Sequence, residues 1–297
     1  MKRVPVKVDS TQKEYMPYID VNFPLDIWTD EYDTFVDETL NCHWHPDFEF
    51  SVLVSGELEF NVNGNPMYMT TGDCIFINSN TMHTAKQAKS SQNAVVKGVA
   101  FPASLLVNST SSMVYKRHFE PIMSSPIQGM IIPGDSGFAI YLSYLIEEIH
   151  NLSEEDFACE LEYLNLINRL WKDTLMYISK HEPELLQHKT NRKNEDRAKK
   201  ILSYIHENFQ SNLTIDRLAK EVNISRSECF RCFKHFTNKK PIEYINEYRL
   251  ANAARLLMES TLSVTEIGIA CGFNSSSYFG KMFKEIYGVS PKEYRKG

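Results

Sequence analysis

The sequence carries one pattern twice, as LTIDRLAKEVNISRSECFRCFKHF at 213–236 and as LSVTEIGIACGFNSSSYFGKMFKEI at 262–286. Leu213 recurs as Leu262, 49 residues further on, whereas Phe233 recurs as Phe283, 50 residues further on. The second copy is therefore one residue longer, and we place the addition in its turn. A repeat of this kind indicates that one supersecondary unit is used twice.

Each copy has the pattern of two helices joined by a turn. Thr214 and Ser263 are suited to cap the first helix, and only the second copy adds an acidic residue three positions later, Glu266, that completes a capping box. The small residues Ala219 and Gly268 follow where a second helix must cross closely. Each copy is therefore predicted to form a helix-turn-helix.

The second helix of each copy, at about 225–236 and 275–286, has an apolar and a polar face. The apolar positions predicted for the core are Cys229, Phe233, Phe236, Phe279, Phe283 and Ile286. The polar faces carry short and basic side chains, which can approach base edges and phosphates in a major groove. We predict DNA contacts from Arg226, Ser227, Arg231, Lys234, Ser275, Ser276, Ser277, Lys281 and Lys284.

Residues from about 195 to 296 resemble the DNA-binding domain of the AraC/XylS family. The resemblance is densest in the run Gly272-Phe273, Tyr278-Phe279, Phe283-Lys284, Gly288-x-Ser290-Pro291 and Tyr294-Arg295. It implies that a long helix, here about 242–258, joins the two motifs, so that both reading helices enter successive major grooves about 34 Å apart. It also implies a sequence-specific transcription regulator that binds double-stranded promoter DNA.

Two positions depart from the pattern of that family. Asn238 stands where the first copy usually has Gly, at a helix C-terminus where a left-handed conformation is expected, which Asn tolerates. Gly268 replaces a usual Ala and is expected to weaken its helix by up to about 1 kcal/mol.

Charge divides the chain in the same place. Residues 191–297 contain 19 Lys and Arg against 12 Asp and Glu, a net charge of +7, while the rest of the chain carries −13 and the whole chain −6. This asymmetry indicates a basic module for a polyanion joined to an acidic module with another role.

The first residues of the chain, its hydropathy and its cysteines predict a cytoplasmic protein that does not associate with a membrane. The start, MKRVPVKVDSTQKEY, lacks the apolar run of a signal peptide. No stretch reaches the roughly 18 apolar residues of a membrane helix. The six cysteines are scattered, which favours reduced thiols. Cys229 and Cys232 have the spacing of half a metal site or a redox pair, but two small packing residues are the favoured interpretation.

The N-terminal part has the pattern of an antiparallel β-barrel. Short alternating runs fill about 20–105, with hairpin and turn signals at Asn63-Gly64 and Gly72-Asp73. We therefore predict a two-domain chain, in which an N-terminal barrel followed by helices precedes an all-α tandem helix-turn-helix. The predicted parts are a barrel domain at 1–125, a helical segment at 126–186, a linker at 187–196 and a DNA-binding domain at 197–297, with its motifs at 214–236 and 263–286.

Within the predicted barrel, His43, His45 and Glu49 share parity, so on one strand all three side chains would point to one face. With His83 from a neighbouring strand they form a metal-ligand set by residue type. Their spacing resembles the two motifs of the cupin barrel, and cupin-like domains commonly form the effector half of AraC-family regulators. We predict that these four residues contact an effector, a small polar metabolite such as a sugar. Metal binding and purely structural packing remain open, and no cofactor is predicted.

The helical segment carries apolar residues at i, i+3 and i+4 spacing, in one run from Phe138 to Ile149 and in a second from Leu161 to Ile178. We predict that it forms a homodimer, as the family resemblance implies. The alternative is that the apolar stripe covers the barrel or the linker of its own chain.

The favoured hypothesis is a dimeric, non-enzymatic activator that senses a small metabolite and works with RNA polymerase at a promoter. One alternative is a cupin metalloenzyme with a DNA-binding appendage. Another is a constitutive DNA-binding dimer without an effector.

Overall fold

The computed structural model describes residues 6–9, 12–187, 193–237 and 239–295. The chain divides into two compact units, the first reaching into the predicted linker and the second beginning at Lys193 and also including Gln12. Two sequence predictions concern residues outside this description, namely the middle of the linker, 188–192, and the conformation of Asn238.

Two antiparallel sheets form the first unit. The five-stranded sheet has the order β1-β8-β3-β6-β9, with strands Asp26–Glu31, Val95–Phe101, Phe48–Ser55, Cys74–Ile77 and Gly129–Ile132. The four-stranded sheet has the order β2-β7-β4-β5, with strands Thr39–His43, His83–Gln87, Glu57–Val62 and Asn65–Thr70. The predicted barrel-like N-terminal fold is therefore confirmed.

The hairpin between β4 and β5 forms where the sequence predicts it. Asn63 and Gly64 have φ angles of 53° and 87°, and a two-residue turn with two positive φ angles matches the twist of the flanking strands. Along β4 buried and more exposed residues alternate, because one face of the strand packs into the barrel.

The five-stranded sheet is buried on both faces. Its inner face packs on the four-stranded sheet through Leu53, Ile75, Ile77 and Val96, which meet Leu58, Phe60, Val62 and Ala85. Its outer face packs under two helices, α3 (Gly137–Asn151) and α4 (Cys159–His181). The short helices α1 (Met113–His118) and α2 (Glu120–Ser124) precede them.

The apolar stripe of the helical segment covers this outer face. Leu142, Leu145 and Ile149 of α3 are buried against the sheet. Trp171 of α4 packs on Phe48, with ring centroids 4.4 Å apart. The structure therefore shows the alternative given above, and the stripe itself is not available to a second chain.

The predicted segment at 126–186 is also not wholly helical. Strand β9 lies inside it and pairs with β6 along four residues, from Gly129↔Ile77 to Ile132↔Cys74. A strand this short has too few residues to show a period of two, so the sequence pattern did not reveal it.

The second unit is all helical. Its helices are α5 (Lys193–Asn208), α6 (Ile215–Glu221), α7 (Arg226–Thr237), α8 (Pro241–Glu259), α9 (Val264–Ala270), α10 (Ser276–Tyr287) and α11 (Pro291–Tyr294). Helix α5 includes the last residues of the predicted linker, 193–196, which the sequence pattern had placed outside any helix. A polar first turn gives no apolar period, so it cannot be distinguished from a linker by sequence alone.

The caps of the two motifs are as predicted. The Thr214 hydroxyl accepts a hydrogen bond from the backbone N–H of Arg217 at 3.3 Å, without a reciprocal acidic partner. Ser263 and Glu266 form a full capping box, with hydrogen bonds of 3.2 and 2.7 Å. These bonds satisfy N–H groups that the first turn of a helix leaves unpaired.

The longer second turn is confirmed as well. Residues 222–225 join α6 to α7, whereas residues 271–275 join α9 to α10 and include Gly272 at a φ of 83°. A Cβ added to Gly268 would lie 3.0 Å from Phe279 Cδ1, which explains why a residue without a side chain is accommodated there.

Among the described residues, no helix has the length and apolar character that crossing a membrane requires.

Candidate nucleic-acid interface and buried histidine cluster

Helix α7 presents one exposed polar face. Ser227, Arg231 and Lys234 are spaced i, i+4 and i+7, which places them on the same side of the helix, and all three are exposed. The opposite side is fixed in the core by Cys229 and Phe233, both fully buried.

Helix α10 repeats this face. Ser277, Lys281 and Lys284 are exposed and stand 50 residues after their counterparts, so the order hydroxyl, cation, cation occurs on both helices. The core side again holds aromatic residues, here the fully buried Phe279 and Phe283. The structure thus provides two equivalent polar faces, which is the arrangement that reading two DNA segments requires.

The other predicted DNA contacts lie at the starts of the two helices, and all are exposed. Arg226 lies 3.6 Å from Asp216, and both side chains are about 70% exposed, so this ion pair contributes little and leaves the guanidinium available. The Ser275 hydroxyl caps α10 by accepting from the N–H of Tyr278 at 3.3 Å. Ser276 stands beside it in the first turn.

A residue of the connecting helix contacts both the segment that precedes the first motif and the turn of the second motif. Arg249 in α8 donates from Nε to the carbonyl of Phe209 at 2.7 Å and from Nη2 to the carbonyl of Ser211 at 2.8 Å. The same guanidinium lies 5.9 Å from the ring centre of Phe273 in the second turn. The sequence pattern gave Arg249 no such role, because none of these partners is near it in the chain.

In the first unit the three predicted histidines converge. One ring nitrogen from each of His43, His45 and His83 lies within 4.8 Å of the other two, and each residue is at most 2% exposed. Glu49 lies against this group, with its Oε2 3.2 Å from His45 Nε2 and 3.3 Å from His83 Nε2. All four predicted effector residues therefore share one buried site.

The reason for this convergence differs from the one predicted. His43 ends β2 of the four-stranded sheet, His45 lies in the connection, and Glu49 lies on β3 of the five-stranded sheet. The three are therefore not on one strand, and parity does not align them. They meet because the chain crosses between facing sheets, while His83 pairs directly with His43 across β2 and β7.

Backbone carbonyls orient all three imidazoles in the same way. The Nδ1 atoms lie 2.8 Å from Asn41 O for His43, 3.2 Å from Asp47 O for His45 and 3.0 Å from Thr81 O for His83. An imidazole whose Nδ1 bonds to a carbonyl presents Nε2 to the site, and a hydrogen bond of this kind at the other ring nitrogen is typical of histidines that bind metals.

Burial and charge act in opposite directions on the titration of this site. Burial alone would lower the pKa of His45, but the hydrogen bond and charge of Glu49 outweigh it and raise that pKa. Burial would raise the pKa of Glu49, yet hydrogen bonds from His45 and His83 hold it well below its usual range. The carboxylate is therefore charged and faces imidazole nitrogens.

One further residue reaches the cluster and was missed by the sequence analysis. Glu14, from the N-terminal segment, is 4% exposed and places Oε2 3.5 Å from His43 Nε2. No spacing pattern connects Glu14 to the later histidines, so only the folded chain brings it there.

The donor set fits a divalent transition-metal ion. Zinc bonds to His nitrogen and carboxylate oxygen are about 2.0–2.2 Å, which puts neighbouring ligands of a tetrahedral site about 3.3 Å apart. The Glu49 oxygen lies at 3.2 and 3.3 Å from its two imidazole neighbours. Imidazole and carboxylate together suit zinc, iron, nickel or copper better than calcium or magnesium.

Comparisons with known proteins agree with this division of the chain. Residues 218–297 match the family described as "Helix-turn-helix domain", and residues 36–98 match the family described as "Cupin domain". Both predicted domain types are thereby confirmed.

Three relatives show how the similarity is distributed. The chain is 26% identical to the uncharacterized HTH-type transcriptional regulator YdeC of Bacillus subtilis, with 97% of each protein covered. It is 23% identical to the HTH-type transcriptional activator RhaS of Mannheimia succiniciproducens, covering 85% of this chain and 88% of that one. Identity to the HTH-type transcriptional regulator ArgR of Pseudomonas aeruginosa is 38%, but over only 30% of this chain and 27% of ArgR. These relatives are transcription regulators, in agreement with the prediction of a DNA-binding regulator.

Proposed function

We propose that this chain, an AraC-type DNA-binding transcription regulator with a cupin domain, reads promoter DNA through the exposed faces of α7 and α10 under the control of a ligand at its histidine cluster. The observation that carries the proposal is the repeated face, Ser227, Arg231 and Lys234 on one helix and Ser277, Lys281 and Lys284 on the other. Access to a promoter requires a cytoplasmic location.

The chemistry of each face suits a major groove. An Arg can bind the O6 and N7 atoms of guanine with two hydrogen bonds, so Arg231 is our candidate for base recognition. The Lys residues one turn further along, Lys234 and Lys284, are suited to phosphates. Because the single helix α8 connects the two motifs, both reading helices can approach one face of DNA in adjacent grooves, about 34 Å apart.

Footprinting of the full chain on DNA upstream of its own and neighbouring genes tests this proposal. We expect two protected segments about one helical turn apart. Arg231→Ala should weaken binding to the protected sequence by about 1–3 kcal/mol and relax specificity within one protected segment. Lys281→Ala, at the equivalent position of α10, should weaken binding to the other protected segment. Lys172→Ala, an exposed Lys on α4, is the matched control. Equal losses on the protected sequence and on random DNA would contradict base reading by Arg231.

For the cluster, the geometry supports a metal ion more than direct contact with a sugar. The polar atoms of His43, His45, Glu49 and His83 face one another and are buried, an arrangement that suits an ion held between them. We therefore propose a divalent transition-metal ion as the ligand of these residues. A polar metabolite would reach this site as a further ligand of that ion.

Metal titration of the purified chain tests this part. We expect one equivalent of Zn²⁺, Mn²⁺, Fe²⁺ or Ni²⁺ to bind, and binding to change the affinity for footprinted DNA measured by fluorescence anisotropy. His45→Ala should abolish both effects, whereas His118→Ala, outside the cluster, should change neither. Failure of all four ions to bind would overturn the metal proposal, and sugars and other polar metabolites would then be titrated in the same assay.

We further propose that the regulator acts as a homodimer and as an activator that works with RNA polymerase. Ile140 and Tyr144 support dimerisation, because they stand one turn apart on α3 and are 63% and 53% exposed. The relative RhaS is described as an activator, which supports the proposal that this chain activates transcription. Sedimentation of the wild type and of Tyr144→Glu tests the dimer, and transcription in vitro with RNA polymerase tests activation.

A further inference from the structure

We infer that Glu14 is an additional ligand of the ion at the histidine cluster, so that cation binding holds the N-terminal segment on the barrel. This inference rests on the metal site proposed above and adds to it a residue from outside both cupin sequence motifs.

The backbone fixes Glu14 beside the cluster. Its N–H donates to the carbonyl of Trp44 at 2.9 Å, and the preceding residue, Lys13, pairs with Trp44 in a parallel bridge. Trp44 is the neighbour of His43 in sequence. The segment doubles back on itself through a bridge between Val8 and Glu14. The Glu14 side chain is thereby directed at the imidazoles, and it is only 2% exposed.

The two carboxylates contact different imidazoles. Glu49 faces His45 and His83 at 3.2 and 3.3 Å, whereas Glu14 faces His43 at 3.5 Å. Every histidine nitrogen that points into the cluster therefore has a carboxylate oxygen at the distance of a neighbouring ligand.

The charge of the donor set matches a divalent cation. In the forms that bind a metal, three neutral imidazoles and two carboxylates together carry a charge of −2, and buried carboxylates are costly unless an opposite charge compensates them. A divalent ion compensates both at once. In the competing account, Glu14 is only an ion-pair partner of a protonated His43, and it then has no effect on metal coordination.

Cobalt(II) titration of the full chain separates the two accounts, because the intensity of its visible absorption falls as the coordination number rises. We expect Glu14→Gln to bind cobalt about 10- to 100-fold more weakly, the loss typical for groups that complete or orient a metal site, and to absorb more intensely. Glu14→Asp keeps the charge on a shorter side chain, so its cobalt affinity should lie between those of the wild type and Glu14→Gln. Asp20→Asn, which removes a carboxylate of the same segment that bonds only to the N–H of Asn22, should behave like the wild type.

Tryptic cleavage after the exposed Lys13 gives a second readout. Cobalt should slow this cleavage in the wild type and in Asp20→Asn, but not in Glu14→Gln. If Glu14→Gln keeps the wild-type affinity, spectrum and protection while Glu49→Gln loses cobalt, the inference about Glu14 is wrong and the metal site stands. If the wild type itself binds no cobalt, the proposed metal site fails.

Discussion

Arg249 Nε donates a 2.7 Å hydrogen bond to the carbonyl oxygen of Phe209, forty residues earlier in the chain. Phe209 directly follows α5 and precedes the first motif, while the guanidinium of Arg249 also approaches Phe273 in the turn of the second motif. One side chain of the connecting helix thus links the segment between α5 and α6 to the turn of the second motif. Since the spacing of the two reading helices determines which DNA they fit, this contact belongs to the DNA-reading apparatus although it does not face DNA.

Arg249→Ala should therefore destabilise the chain. It removes the donors to the carbonyls of Phe209, in a part-buried hydrogen bond, and of Ser211, in an exposed one, so we expect a loss of about 1–2 kcal/mol. Arg255→Ala on the same helix breaks only an exposed pair with Glu259 and should change stability by less than about 0.5 kcal/mol. Urea unfolding of both variants measures the difference, and equal effects would contradict the role given to Arg249.

Gly272→Ala should be more damaging than another Gly→Ala change nearby. Gly272 has a φ of 83°, and an added Cβ would lie 2.7 Å from the carbonyl oxygen of Phe209, so we expect a loss of about 2 kcal/mol or more. Gly280, inside α10, has no atom within 4 Å of such a Cβ. There Ala should stabilise the helix by about 0.5–1 kcal/mol. In thermal unfolding, Gly272→Ala should lower the Tm and Gly280→Ala should raise it. An unchanged Tm for Gly272→Ala would refute the close contact.

Lys234→Ala and Lys284→Ala should change the salt dependence of DNA binding alike. Each removes one exposed cation from equivalent positions of α7 and α10. If each neutralises one phosphate, the slope of log K against log salt should fall by about 0.9 per variant, on cognate and random DNA equally. Lys172→Ala serves as the control. A slope that does not change would place these lysines away from the backbone of the DNA.

The cysteines should be unreactive in the folded protein. Burial raises the pKa of both Cys229 and Cys232 to about 11, so at pH 8 only about one thiol in a thousand is ionised. All six cysteines are free and buried. Iodoacetamide should therefore label none of them rapidly at pH 8 and all six in guanidinium. Rapid labelling of Cys229 or Cys232 would revive the redox interpretation of their spacing.

Trp171→Ala should strongly destabilise the barrel unit. The indole packs between Phe48 and Phe119, at centroid distances of 4.4 and 4.8 Å, and truncating a buried Trp costs about 3–5 kcal/mol. Met176→Ala on the same helix removes a side chain that is 65% exposed and should stay within about 0.5 kcal/mol. Chemical unfolding followed by circular dichroism measures the free energy of unfolding. A small loss of stability in Trp171→Ala would mean that α4 does not cover the sheet tightly.

The sequence alone determined the features that depend on residues a few positions apart. The caps at Thr214 and Ser263, the hairpin at Asn63-Gly64 and the repeated polar faces follow from local hydrogen bonding and from the period of the helix. The residue types of the histidine cluster were also visible, because imidazoles and a carboxylate at short spacing indicate a common site.

Only the tertiary structure decided how distant segments meet. His43 and Glu49 come together from two facing sheets rather than one strand, and Glu14 and Arg249 reach partners to which no sequence period connects them. The apolar stripe that suggested a dimer is instead buried on the sheet by Trp171 and its neighbours. A pattern of apolar residues states that a face is covered, but the covering surface is set by strand pairing and packing over the whole chain, which local periodicity does not encode.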